Sequence, residues 1–174
     1  MSKKVVTGKV RGSYVNVFRP RMNDMSGKDE YSMAILIPKS DEKTVSKIKA
    51  AIEEAKKDKF GSKTPSNFRS PLRDGDEERP DDEAYQGHYF MNIKSQNRPG
   101  IVDKNRDEVI DNDAFISGDY CRVSMNAYAY DVSGNRGVAF GLGNVQVLEK
   151  GEPLTSRARA EDEFDDWDDD EDFG

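Results

Sequence analysis

The sequence predicts an all-β fold: a small, closed Greek-key barrel of the OB type, covered by one helix and followed by a disordered acidic C-terminal tail. Three observations carry this reading. Five or six segments show strand patterning, and antiparallel strands of that number close readily into such a barrel. One stretch only, residues 41–59, repeats its apolar residues at helical spacing. The last fourteen residues contain ten acids and no base, a composition that cannot bury enough apolar surface to fold. The expected division is therefore a barrel domain over residues 1–154, with a long loop at 61–86, and a tail over 155–174.

The elements follow in order. Residues 4–19 are rich in Val, Tyr and Phe and predict one long strand, bent or bulged near Gly12. Residues 30–37 predict a second strand, with Tyr31, Met33, Ile35 and Ile37 on one face. At Ile35-Leu36 both faces are apolar, which places this strand centrally, and Pro38 ends it. In the helix, Val45, Ile48, Ile52 and Ala55 form one stripe. Ser40 is the expected N-cap, Asp41 and Glu42 suit the positive end of the helix dipole, and Lys56, Lys57 and Lys59 suit the negative end. Gly61 is a natural stop.

Residues 61–86 contain Pro65, Pro71, Pro80 and Gly75 with little periodicity. A connection of that length is usually functional or disordered. Its first half is basic (Lys63, Arg69, Arg73), and its second half, 74–83, is acidic. Strand patterning returns at 87–96 and around 100–110, where 103–108 reads as a hairpin-like turn. The strongest pair is 118–131 with 136–148, joined by the turn sequence Val132-Ser133-Gly134-Asn135.

Charge points to a polyanionic partner. The whole chain carries 27 Lys+Arg against 34 Asp+Glu, a net charge of −7. Without the ten acids of the tail, 27 face 24 and the body is +3. Residues 1–73 alone hold 17 basic and 8 acidic side chains. A basic body tethered to an acidic, aromatic tail sets up an intramolecular competition for one surface. No apolar run approaches the roughly 18 residues of a membrane span, so no membrane is expected. The N-terminus lacks a signal-peptide pattern. One Cys and one His exclude an internal disulfide and a multi-ligand Cys/His zinc site, and a reducing cytoplasm fits best. No cofactor is expected.

The strand at 120–130 has the sharpest chemistry. Cys121, Val123, Met125, Ala127 and Ala129 make a small apolar face suited to a core. Tyr120, Arg122, Ser124, Asn126, Tyr128 and Tyr130 make the other. Unpaired bases stack on such rings while a guanidinium pairs with phosphate. The binding candidates on this strand are Arg122, Asn126, Tyr128 and Tyr130. On 88–96 they are Phe90 and Lys94, if Tyr89, Met91 and Ile93 face the core. On the first strand they are Lys9, Arg11, Tyr14, Phe18, Arg19 and Arg21. Arg98 and Arg136 complete the set. Packing and plain solvation are the competing readings for several of these.

Catalytic patterns fail. Asp103-Lys104-Asn105-Arg106-Asp107 begins like a calcium loop, but Glu108 and Ala114 occupy the positions that need Gly and Glu. Gly141-Leu142-Gly143 begins like a dinucleotide fingerprint, but Gln146 replaces the last Gly and no helix follows. Glycines there suit close packing opposite the tyrosines. Asp74, Asp76, Glu77 and Glu78 read as a solvated loop, and His88 has no nucleophile beside it.

Several segments together resemble the single-stranded-DNA-binding proteins of tailed bacteriophages. They are Tyr31–Ile37 with Pro38-Lys39-Ser40-Asp41, Pro71–Asp76, Gly87-His88-Tyr89-Phe90, Arg98-Pro99-Gly100 with Val102-Asp103, Tyr128-Ala129-Tyr130, and Gly141–Val147. Their order along residues 4–154 carries the likeness. The resemblance implies an OB-fold, no catalysis, and coating of single strands in phage replication, recombination or repair. The tail separately resembles those of bacterial and podophage single-strand-binding proteins, which end in an aromatic residue read by replication partners. Here Phe173 is penultimate, before Gly174. Trp167, Asp170, Glu171, Asp172 and Phe173 are the expected contacts to replication or recombination proteins, and a homo-oligomer is left open. Two rivals are a DNA-mimicking inhibitor, disfavoured by the basic first 73 residues, and a metal-dependent nuclease, disfavoured by the lack of spaced acids on strands.

Overall fold

The computed structural model describes residues 3–23, 27–154 and 166–167. Its strands are β1 (Lys4–Val6), β2 (Val10–Met22), β3 (Asp29–Pro38), β4 (Phe68–Arg69), β5 (Arg73–Asp74), β6 (His88–Ser95), β7 (Ile101–Val102), β8 (Tyr120–Val132) and β9 (Asn135–Glu149). The helices are α1 (Glu42–Phe60) and a single turn, α2 (Gly75–Glu78). Five strands close a barrel in the order β2–β3–β6–β9–β8 and back to β2. The β6–β9 pair is parallel and the other four are antiparallel. Five strands closed in this way make the OB-type barrel that the strand count predicts.

The two-residue period sorts side chains into the barrel. Met33, Ile35 and Ile37 of β3, Met91 and Ile93 of β6, Cys121, Val123 and Met125 of β8, and Phe140 of β9 are buried in one cluster. Along α1, Val45, Ile48, Ala51, Ile52 and Ala55 bury their stripe against the same cluster. The central place of β3 is borne out: residues 33–37 are all buried, between β2 on one side and β6 on the other.

Two local expectations are corrected and one is sharpened. The predicted strand 4–19 is two strands. At the break, Thr7 donates its N–H to Val123 O and accepts from Val123 N through Oγ1, while Gly8 N donates to Thr44 Oγ1. Those bonds let the chain move from pairing with one part of β8 to pairing with another. The bend expected near Gly12 is there, centred on Tyr14: its φ is 48° and the β2–β3 register shifts between Ser13 and Asn16. The cap of α1 is Asp41, not Ser40. Its carboxylate accepts from Thr44 N at 3.1 Å and Thr44 Oγ1 at 2.7 Å, satisfying an N–H with no helical partner.

The 61–86 segment carries β4, β5 and α2 and packs on the outside of the barrel. Tyr85 joins Leu36 and Phe90 in a second, smaller cluster, meeting the Phe90 ring edge-on at 5.1 Å. Its hydroxyl reaches Ser13 Oγ at 3.2 Å. Lys39 holds the near end, donating to Asp74 at 2.7 Å and Asp76 at 2.8 Å, and Asp76 also accepts from Gly87 N. The ammonium holds both carboxyls below their ordinary pKa of 3.8. Depressed carboxyl pKa values stabilise the fold fully above that ordinary value and progressively less as pH falls through the folded-state values. The loop is therefore expected to loosen selectively below about pH 4. Amide exchange at Gly87, followed from pH 6 to pH 3, checks this: exchange matching Lys39→Ala at every pH would remove the clamp.

The chain beyond β9 is latched to the barrel. Gly151 N donates to Asp119, Leu154 N to Ser117 O, and Lys150 Nζ to Asp119 at 2.9 Å. Leu154 then packs on the Leu36–Tyr85–Phe90 cluster. Among the described residues no helix is long and apolar enough to cross a membrane.

Candidate nucleic-acid interface

Alternation on β8 leaves Arg122, Asn126 and Tyr128 exposed while Cys121, Val123, Met125 and Ala127 are buried. Register extends that outer face across neighbouring strands. Asn126 lies opposite Gly141 of β9 and Lys4 of β1. Gly141 lies beside Lys94 of β6, and Lys94 opposite Ser32 of β3. One row, Ser32–Lys94–Gly141–Asn126–Lys4, thus runs perpendicular to the strands. It carries two ammonium groups and an amide over a low floor. A Cβ built at Gly141 would meet nothing closer than 3.9 Å, so the floor is open there.

Rings flank this row. Tyr128, opposite Ala139, is 43% exposed. Tyr130 is half-buried and lies over Gly137, where an added Cβ would sit 2.8 Å from its hydroxyl. The close packing expected of glycine opposite tyrosine thus occurs at Gly137, while Gly141 faces Asn126. Tyr14, at the β2 bend, is 59% exposed. Arg79 stands 5.7 Å from the Tyr14 ring centroid and donates to its hydroxyl at 3.3 Å. The same guanidinium lies 4.6 Å over Tyr85 and 5.7 Å over Phe90. A cation held over three rings fixes Tyr14 in an outward pose. Sequence reading missed Arg79, because it sits inside the acidic run 74–83. A single arginine retained in such a run was the available clue.

Other candidates lie elsewhere or are already occupied. Phe90 is 4% exposed beneath Tyr85, so its ring offers no open face; the apolar outer side of Leu36 draws it into the second cluster. Phe18 is half-buried against the main core. Arg11 donates to Gly118 O and Glu152 O, and Lys9 pairs with Glu149; both cations lie over Tyr120. These two tie the end of β9 and the residues after it to the start of β2. Arg136 pairs with Asp131 at 3.2 Å. Lys94 is 3.8 Å from Glu30 yet half exposed. Arg122 is anchored by Thr7 O at 3.1 Å and Gln146 Oε1 at 3.4 Å. Arg19, Arg21 and Arg98 are exposed. Trp167 is exposed, while Asp170, Glu171, Asp172 and Phe173 lie outside the described residues.

Nucleophile chemistry has no footing at Cys121, whose thiol is pushed up to about 12, chiefly by burial. Asp74 and Asp76 are engaged with Lys39.

Comparison with known proteins bears on this geometry. The single-stranded-DNA-binding protein of bacteriophage Enc34, in complex with single-stranded DNA, superposes with a TM-score of 0.78 at 21% identity, over 88% of this chain and 90% of that one. The single-stranded-DNA-binding protein gp2.5 of bacteriophage T7 gives a TM-score of 0.64 at 14% identity, over 90% and 97%. A putative protein, p50, of Acyrthosiphon pisum secondary endosymbiont phage 1 is 30% identical over 176 residues, covering 94% of this chain and 93% of its own. A family model described as the single-stranded-DNA-binding protein of Enterobacter phage Enc34 matches residues 3–174. The chain belongs to the Enc34 family of phage single-stranded-DNA-binding proteins.

Proposed function

We infer that this protein binds single-stranded DNA, coating it without catalysis and largely without regard to sequence. Family membership supports the ligand. The observation that carries the mechanism is the outer row Ser32–Lys94–Gly141–Asn126–Lys4 with Tyr14 and Tyr128 exposed beside it. Ammonium and guanidinium groups displace counterions along the phosphates. Open rings stack bases, which every base permits and duplex bases already satisfy among themselves. A mixed single strand should therefore bind more tightly than the matching duplex. The work is done in the host-cell cytoplasm, in phage replication, recombination or repair.

The acidic tail competes with DNA for this face. Leu154, the last residue before the tail, packs against Leu36, Tyr85 and Phe90, next to Arg79 and Tyr14. Leu154 thus brings the chain up to the rings that the tail would cover. When DNA displaces it, Trp167, Phe173 and the acids Asp170, Glu171 and Asp172 become available to replication or recombination proteins, with rings as anchors and carboxylates as steering charge.

Deleting residues 161–174 removes ten acids and leaves 27 basic against 24 acidic side chains. The truncated protein is expected to bind single strands more tightly, most of all at low salt, where screening is weakest. Fluorescence of Trp167, the only tryptophan, should change when DNA is added to the full chain. Equal affinity with and without the tail at low salt, with silent fluorescence, would end the competition. Recruitment would then rest on whether Phe173→Ala abolishes pull-down of replication proteins.

A further inference from the structure

A groove of about 290 Å³ opens on the outer face between β1, β7 and the β8–β9 hairpin. Val6 and Val102 give it an aliphatic floor, and Arg106 and Arg122 stand at its rim. No carboxylate lines it. Val6 is 40% exposed, an aliphatic surface left open beside two guanidinium groups. An aliphatic floor under two cations suits a ligand with a flat apolar part and an anionic part. Its volume is close to the roughly 300 Å³ lower end of small-molecule pockets, enough for one nucleotide but not for several.

The rim is built in place. Arg122 is held by Thr7 O and Gln146 Oε1. The amide nitrogen of Gln146 approaches Asp103 O and Lys104 O, each at 3.4 Å, and so braces the 103–108 turn. Asp103 accepts from Asn105 N at 2.8 Å and Asp107 N at 3.0 Å within that turn. The turn holds Arg106 at a φ of 71°, a left-handed conformation that a non-glycine residue keeps where its surroundings impose it. Asn144 accepts from Gly100 N through its side-chain oxygen, which orients its amide at the groove. The groove also continues the outer row. Ser124 of the groove is two residues from Asn126 on β8, and hence on the same face.

We propose that this groove seats one nucleotide of the bound strand, its base on the valine floor and its phosphate between Arg106 and Arg122. This rests on the single-strand-binding reading and adds a fixed station to a path otherwise made by open rings. Seating is a matter of shape and charge, and Asn144 can add a hydrogen bond to a base edge.

The test uses the full chain, ¹⁵N-labelled, titrated with thymidine 5′-monophosphate, thymidine and inorganic phosphate, beside binding of a long oligo-dT. Thymidine 5′-monophosphate should shift the amides of Val6, Ser124, Asn144 and Val145 more than either half does alone. Arg106→Gln, on an exposed turn, should abolish those shifts, weaken oligo-dT binding severalfold, and lower the salt slope by about 0.7, the value of one phosphate contact to a single strand. Val6→Glu, which places a carboxylate in the groove, should do the same without touching either arginine. Identical shifts with inorganic phosphate would reduce the groove to an anion site and overturn the proposal. Normal oligo-dT binding by both variants, with no groove shifts in the parent, would overturn it and leave single-strand binding standing. Failure of the parent to bind oligo-dT at all would overturn the functional reading and the groove with it.

Discussion

Replacing Tyr14 and Tyr128 together by alanine is expected to weaken single-strand binding by about 2–6 kcal/mol, since each stacked base is worth roughly 1–3 kcal/mol. Both rings are largely outside the core, at 59% and 43% exposure, so the double variant should fold. Alanine also keeps the Cβ that Tyr14 carries at its positive φ, so backbone strain there is unchanged. The salt slope should barely move, because no phosphate contact is removed. Arg79→Ala is the informative companion. It leaves both rings in the chain but frees Tyr14 from the cation that orients it, so it should weaken binding less than Tyr14→Ala does. Tyr130→Ala, by contrast, empties the contact over Gly137 and should cost stability first. Affinity of the folded double variant equal to that of the parent would move the site to another face of the barrel.

Asp119→Ala is expected to destabilise the fold by about 2–4 kcal/mol, because it leaves two part-buried backbone N–H groups without their acceptor, at roughly 1–3 kcal/mol each, while the mostly exposed Lys150 is simply returned to water. Asp119 is 0% exposed and accepts from Ile116 N at 2.9 Å, Gly151 N at 3.1 Å and Lys150 Nζ at 2.9 Å. Its own backbone carbonyl accepts from Gly12 N. One side chain thus fastens the segment after β9 to the mouth of the barrel. Its loss strands two backbone donors and frees the chain that carries Leu154 towards the outer face. Thermal unfolding reads the first effect. The second predicts that tail deletion matters less in Asp119→Ala than in the parent. A Tm within about 2 °C of the parent would deny the latch its role, because a change of this size in a chain of this length should shift Tm by several degrees.

The strands and the helix were legible because burial imposes a period. Met33, Ile35 and Ile37 alternate along β3, and Val45, Ile48, Ile52 and Ala55 recur along α1. The same alternation along β8 separates the buried Cys121, Val123 and Met125 from the exposed Arg122, Asn126 and Tyr128. The excess of acid in the tail and of base in the body was likewise plain, since net charge needs no coordinates. Lys9 and Arg11 are engaged within the fold; a cation that pairs with a carboxylate or caps backbone carbonyls and one that meets phosphate look alike in a sequence.

By itself, then, the sequence determined a β-barrel with one covering helix, a Tyr-rich outer strand and a charge division suited to a polyanion. The tertiary structure alone decided which rings stay open. Phe90 and Tyr14 are both aromatic residues on alternating strands. A loop from residues 61–86 closes over one, while Arg79 from that same loop props the other outward. That outcome depends on contacts between residues far apart in the chain, and no local period records them. The row Ser32–Lys94–Gly141–Asn126–Lys4 has the same origin: it exists only in the register of five strands, where hydrogen bonding between backbones sets which side chains become neighbours.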